Sequence, residues 1–350
     1  MKVLVTGGAG FIGKHLVRQL LQRGYEVTVI DSLEQPTHNT YTAPILPKNV
    51  TFIHGNVLDH DRLEEALNGV QVVYYLAATG GYTDSVARYT EQNSLAISVL
   101  FETLKRRSIS LHKFIVASSI AVYGEGKYLG SNGIPFYAAP RGIQNLRNHD
   151  FAVRDHSGAS AEPMPTDEMA PIEPNTIYGV SKYDQERITR IFCQREGIPW
   201  VALRFFLTYG PEQSLTNPYT GVVSIFCNAI SNNRPPVIYE DGLQSRDFVF
   251  VDDVVRALIT ALENDNAQNE VYNVGTGIGT SVIRVAELIS DVLGATVPIK
   301  ANGIGRPGDV RHMIADTSKI TSIGYTPQVT VEEGIRRFVD WYRSRNEINT

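Results

Sequence analysis

Short apolar runs alternate with amphipathic stretches over the first 200 residues. "KVLVT", "EVTVI", "VTFIH", "VQVVYYLAA", "KFIVASS" and "WVALRFF" have the length and composition of strands. Between them, Phe11 to Arg23 and Ser85 to Arg106 carry apolar residues at helical spacing. Near-continuous apolar strands alternating with helices predict a doubly wound α/β fold, a parallel sheet with helices on both faces. Beyond residue 205 the rhythm loosens, and "VIYEDGLQSRDFVFVDDVVRAL" reads as two short strands and a helix. The pattern therefore divides the chain into 1–205, which builds the parallel sheet, and 206–350, a smaller α/β region with some segments crossing back. Lys127 to Pro174, rich in Gly, Pro, Asn and Asp, is too long for an ordinary connection and reads as an insertion or lid.

Composition narrows the class of protein. A chain of 350 residues, 43% hydrophobic, can bury one large core or two fused ones. Its net charge of -5 and the lack of a basic run argue against nucleic acid as partner. No apolar run approaches the length of a membrane span, and "MKVLVTGGAG" enters a strand and a glycine turn where a signal peptide would lie. The cytoplasm is the expected compartment. Cys193 and Cys227 sit in apolar stretches and read as core, forming neither a disulfide framework nor a metal pattern.

Candidate chemistry begins at the first turn. "VLVTGGAGFIG" places Gly7, Gly10 and Gly13 between a strand and a helix, bringing backbone amides to a helix N-terminus that favours a pyrophosphate. Asp31 ends the second strand, where a carboxylate accepts bonds from an adenosine ribose and repels a 2′-phosphate. Ser32 and Leu33 supply no cation to offset that repulsion, so NAD fits better than NADP. A merely structural glycine turn would not require the acid.

"IYGVSKYDQE" then places Tyr178 and Lys182 four apart, on one face if the segment is helical. A cation one turn away favours phenolate, lowering the tyrosine pKa from about 10 toward neutrality. A second pair at the same spacing, Tyr123 and Lys127, has two glycines between its members and shares no helical face. "KFIVASSIAVYG" ends a buried strand in hydroxyls at the carboxyl edge, where such sheets place their chemistry. Ser119 is the candidate to orient a reacting oxygen, with Ser118 the competing assignment.

These residues resemble the extended short-chain dehydrogenase/reductase family, specifically its NAD-dependent sugar-nucleotide epimerases. The motifs "TGGAGFIG", "YLAA", "SSIAVYG", "YGVSK", "LRFFLTYGPEQ", "RDFVFVDDVV", "YNVGTG" and "RPGDVRHMIADTSK" occur in family order across nearly the whole chain. "MPTDEMAPIEPNTIYGVSKYDQER" and "NPYTGVVSIF" are most similar to dTDP-L-rhamnose 4-epimerase-type members. The resemblance implies a Rossmann domain, NAD as cofactor, a nucleoside-diphosphate sugar as substrate and a homodimer built on two long helices. It implies that Tyr178, with Ser119 and Lys182, takes a proton from a hexose hydroxyl while hydride passes to NAD, and that both return to the opposite face of the ketosugar. Among cofactor contacts it places Phe11, Ile12, Asn56, Val57, Ala77, Ala78 and Asn93. Asn93 reads equally as a structural hydrogen-bonder. On the substrate side it places Leu207, Arg246 and Arg306, the arginines receiving the diphosphate. Salt bridges to Asp247 and Asp309 are the alternative for the two arginines.

Several positions depart from that pattern. Leu207 stands where the family usually has a substrate-binding asparagine, and Asn56 where it has an acid. The insertion lacks the paired cysteines of similar members, and its His149 and His156 read as solvated loop residues. Met313 falls at the position that limits sugar size. Ile120 and Ala121 replace the Asp-Glu pair of 4,6-dehydratases, which argues against dehydration. A 2-epimerase, or a dehydrogenase that releases its keto product, would use the same triad. A non-catalytic dinucleotide sensor is less consistent with an intact one.

Overall fold

A computed structural model describes residues 1–35, 38, 46–80, 85–215 and 221–347. Most of the "NPYTGV" run lies outside the described residues. Strands β1 (Lys2–Thr6), β2 (Glu26–Asp31), β3 (Thr51–His54), β4 (Val72–Tyr75) and β5 (Lys113–Ser119) alternate with α1 (Phe11–Gln22), α2 (His60–Leu67), α3 (Val86–Tyr89) and α4 (Ala96–Arg106). The insertion supplies β6 (Lys127–Leu129), β7 (Pro135–Tyr137), α5 (Ile143–Arg147) and β8 (Glu162–Met164). Then follow α6 (Ile177–Glu196), β9 (Trp200–Phe205), β10 (Leu207–Tyr209), α7 (Val222–Ser231), β11 (Ser245–Phe250) and α8 (Val251–Glu263). The chain closes with β12 (Glu270–Val274), β13 (Gly279–Ser281), α9 (Val282–Leu293), β14 (His312–Met313), α10 (Ser318–Thr321) and α11 (Val331–Glu347).

Seven strands form one parallel sheet in the order β12, β9, β5, β4, β1, β2, β3. From β1 the chain runs outward through β2 and β3, then returns to lay β4, β5, β9 and β12 on the other side. The carboxyl ends of β1 and β4 thus flank the point where strand order reverses, which leaves a crevice between them. All residues of β4 and β9 are buried, which explains their unbroken apolar sequence. β12 shows that a late segment completes the first sheet. A second core packs α7, α9 and α11 around β10, β11 and their neighbours. Within "VIYEDGLQSRDFVF" only the second predicted strand forms, since Ile238 makes an isolated bridge with Ala301.

The predicted helix from Ser85 to Arg106 is one continuous rod interrupted by a π turn at Thr90–Leu95. The widened turn carries Asn93 into the interior, and such turns recur at functional sites. Thr176 caps α6 by accepting the Gly179 amide, and Gly197 ends it in the left-handed region.

The insertion folds as a three-stranded antiparallel sheet, β7-β6-β8. Asp155 takes the organising role there. One carboxylate oxygen accepts the Ser131 amide at 2.8 Å and hydroxyl at 2.6 Å; the other accepts the Ser157 amide and hydroxyl and the Ala159 amide. These bonds, led by Ser131 and Ser157, hold its pKa well below the usual carboxylate range. The described residues contain no cluster of His, Cys, Asp or Glu fit for a metal; His149 bonds the Gly303 carbonyl and His156 packs near Phe136. In Asp155→Ala, hydrogen exchange should show lost protection at Ser131, Ser157 and Ala159 with the parallel sheet unchanged. Because the folded pKa is depressed, the wild-type knot should hold as pH falls through the ordinary carboxylate range and open only in stronger acid. Unchanged exchange at these amides in the variant would show that the carboxylate does not organise the turn.

Candidate active site

The first turn meets the crevice as a dinucleotide site requires. Gly7 has φ +68°, and a Cβ there would meet the Ala77 backbone at 3.0 Å. A Cβ on Gly13 would lie 2.4 Å from the Gly7 carbonyl oxygen, so only glycine lets α1 pack this closely on the turn. Gly10 occupies the N-cap without a side-chain cap, and the first turn of α1 carries no acid. The leading amides, at Phe11, Ile12 and Gly13, thus have no side-chain cap and suit an anion. Val57 and Asp31 are buried, while Ala77 and Ala78 follow β4 across the crevice. Asp31 accepts the Ala9 and Leu33 amides and lies 3.3 Å from His38, a neighbour the sequence reading had not placed there. Asn56 donates to Glu34 and Gln92 and accepts the Leu58 amide. This arrangement fits NAD.

The crevice leads to the tip of β5. Ser118 and Arg204 are register partners on β5 and β9, and both bond Glu186 of α6. The Ser118 hydroxyl is therefore committed to the helix interface. Ser119 lies half-buried at the tip, where its hydroxyl accepts the Ala121 amide at 3.2 Å and reaches the Tyr178 phenol. The competing pair behaves as its glycines suggested: Tyr123 bonds Asn273 and Arg204, whereas Lys127 pairs with Asp167.

One expectation is corrected. Tyr178 is not driven toward phenolate by Lys182. Burial raises its pKa above 10, the Ser119 bond opposes that shift, and Tyr89, with ring centroids 6.1 Å apart, adds to it. Lys182 is itself buried and its pKa falls to about 7, burial outweighing the attraction of Glu186. Its ammonium donates to Gln185 Oε1 at 2.6 Å. A desolvated lysine held on an amide is a weak source of positive charge, so a neutral phenol is the resting state.

Gln185 and its neighbours were missed in the sequence, although Gln185 lies three residues beyond Lys182 on the same helical face. Its amide donates to the Asn93 carbonyl. The Asn93 side chain accepts the Thr79 amide at 2.7 Å and donates to the Thr79 carbonyl and to Ser181. Asn93 therefore ties the loop after β4 to α6, which is the structural role weighed for it.

On the far side of the crevice, Arg246 donates to the carbonyls of Ser245, Val310 and Arg311. The expected alternative, a salt bridge with Asp247, does not form: Asp247 accepts from Thr276, Gly277 and Ala315. Burial without a direct carboxylate partner lowers the Arg246 pKa, with Glu125 opposing from nearby. Arg306 differs, pairing with Asp309 at 2.6 Å and stacking over Tyr239. Leu207, half-buried, pairs with Phe248 on β11, and Met313 is buried beside Arg246.

Comparison with known proteins agrees with this geometry. Residues 3–141 and 156–275 match the NAD dependent epimerase/dehydratase family, and the chain belongs to it. It is 33% identical over 347 residues to a dTDP-L-rhamnose 4-epimerase of Burkholderia thailandensis, covering 97% of this chain and 94% of that protein. A UDP-glucose 4-epimerase of Thermotoga maritima solved with UDP-glucose superposes with TM-score 0.80 at 30% identity, covering 99% of this chain and all of the other. The UDP-glucuronic acid 4-epimerase of Bacillus cereus, solved with UDP-glucuronic acid and NAD, gives 0.79 at 28% identity with the same coverage. The chain is thus an NAD-dependent member of a family that acts on sugar nucleotides. None of its described helices is long and apolar enough to cross a membrane.

The buried lysine makes a stability prediction. Between pH 7 and pH 10.5 the folded chain releases a proton that the unfolded chain keeps, so Lys182 makes stability rise with pH in that window. Denaturation of cofactor-free Lys182→Met should therefore show a gain over wild type near pH 7, on the order of a few kcal/mol, that shrinks toward pH 10. A pH-independent difference would contradict the desolvation of Lys182.

Proposed function

We propose that the protein is a sugar-nucleotide 4-epimerase that works through a transient 4-keto intermediate. The observation that carries this reading is the convergence of Ser119, Tyr178 and Lys182 at the carboxyl edge of the sheet, beside a crevice that fits NAD. Ser119 orients the hexose hydroxyl, Tyr178 removes and returns its proton, and Lys182 holds the nearby ribose. Held by the glycine turn and Asp31, NAD would supply the hydride acceptor and a positive charge able to offset the burial of Tyr178. Arg246 suits the diphosphate, because its guanidinium is held by carbonyls and an anion would supply the missing counter-charge. Arg306 joins it on leaving Asp309.

Two observations bear on the alternatives. The turn after Ser119, Ile120–Val122, carries no acid, which disfavours dehydration. A 2-epimerase or a net dehydrogenase would share the triad, and cofactor stoichiometry separates the latter. An open cavity of about 150 Å³ beside Tyr123, Glu125, Tyr137 and Glu173 gives a sugar substituent space beneath the insertion. Ile177, Val180 and Ile191 are exposed on α6, as are Val86 and Leu95 on the preceding rod. These faces support a homodimer.

Incubation with UDP-, dTDP-, GDP- and CDP-hexoses, followed by NMR of the products, should reveal one sugar inverted at C4 without accumulation of NADH. Tyr178→Phe should lower turnover by at least about a hundredfold while NAD stays bound. Net oxidation, inversion at C2, or full activity in the variant would reject the proposed reaction.

A further inference from the structure

The insertion reaches the Arg246 side of the crevice most directly through Arg141. Arg141 has a side chain only 4% exposed, and its guanidinium forks onto Glu240 with bonds of 2.9 and 2.8 Å. It also donates to the Phe151 carbonyl within the insertion and, at 2.7 Å, to the Asp309 carbonyl. Asp309 begins a short backbone run engaged at each step. The Val310 and Arg311 carbonyls accept from Arg246, the Arg311 amide donates to Glu125, and the His312 amide donates to the Tyr128 hydroxyl. The Asp309 carboxylate meanwhile holds Arg306.

The charges divide the roles among these arginines. Glu240 and Asp241 together face Arg141 and Arg311, so those two cations are compensated. Among the described residues the direct partners of Arg246 are carbonyls, which places it to receive an anion. What Arg141 adds is geometry: a rigid, planar fork set against a buried carboxylate fixes one carbonyl, and the next two carbonyls aim Arg246. Lysine could keep the charge but not both bonds to Glu240 together with the carbonyl contact.

We infer that Arg141 is a positioning residue for the nucleotide diphosphate, fixing the 309–311 backbone on which Arg246 rests and from which Arg306 is presented. This rests on the sugar-nucleotide reading of the site. It also gives the insertion a role: the carbonyl run is held from the insertion side by Arg141, Glu125 and Tyr128, so diphosphate affinity depends on a docked insertion.

The test is calorimetric titration of UDP, dTDP, GDP and CDP into the NAD-loaded full chain, with NAD affinity measured in parallel. Wild type is compared with Arg141→Lys and with the double variant Arg141→Met/Glu240→Gln, which removes one charge of each sign and leaves Arg311 paired with Asp241. Both variants should bind the preferred nucleotide at least about tenfold more weakly while NAD affinity stays within about twofold. Nucleotide binding equal to wild type would overturn the inference, as would parallel loss of NAD, the mark of a general structural defect. Should wild type bind none of the four nucleotides, the sugar-nucleotide reading falls and this inference falls with it.

Discussion

The contact that the rest of the site depends on is the buried junction between α6 and the sheet. Glu186 receives Arg204 of β9 through two bonds of 2.8 and 2.9 Å and also Ser118 of β5, so one carboxylate joins three elements. Arg204 continues to the Tyr123 hydroxyl, and Tyr123 to Asn273 of β12. Losing one member of such a pair leaves an uncompensated buried charge, a cost of about 3–5 kcal/mol. The pairing fixes both the height and rotation of α6 against the sheet. Tyr178, two turns earlier on the helix, is thereby held over the tip of β5.

That junction also explains why the two adjacent serines differ. Strand alternation sends Ser118 into the helix interface, where Glu186 consumes its hydroxyl, and leaves Ser119 at the tip beside Tyr178. It further keeps the region around Lys182 dry, and dryness governs its charge. Burial lowers the Lys182 pKa to about 7 and raises that of Tyr178, so in the proposed reaction the phenol would be activated only once the cofactor binds. The arrangement costs stability at neutral pH and protects the tyrosine from ionising in the absence of NAD.

Much of this was legible in the residues, for physical reasons. The glycine turn, the acid ending β2 and the i,i+4 spacing of Tyr178 and Lys182 are local patterns whose geometry follows from the regular elements that carry them. The strands of the main sheet were legible because burial on both faces makes them continuously apolar. What escaped were properties set across the fold. Desolvation decides the pKa of Tyr178 and Lys182, and no spacing rule encodes it. The choice between carbonyl and carboxylate partners for Arg246 depends on Asp247 being drawn to Thr276 and Gly277 from another segment. The insertion was legible only as a long polar stretch, because Asp155 organises it through short-range bonds to serines that any loop might contain. Leu207 remains a departure from the family pattern for which the structure supplies no compensating polar group among its described contacts.

The central claim is that burial keeps Tyr178 a neutral phenol until the cofactor arrives. Selective carbon-13 labelling of tyrosine at Cζ, with Tyr178 assigned by comparison with Tyr178→Phe, allows its titration to be followed by NMR in cofactor-free and NAD-loaded protein. The account predicts a Tyr178 midpoint above 10 without NAD and a clear downward shift with NAD bound. A midpoint already below 10 in the cofactor-free protein, or one unmoved by NAD, would contradict it.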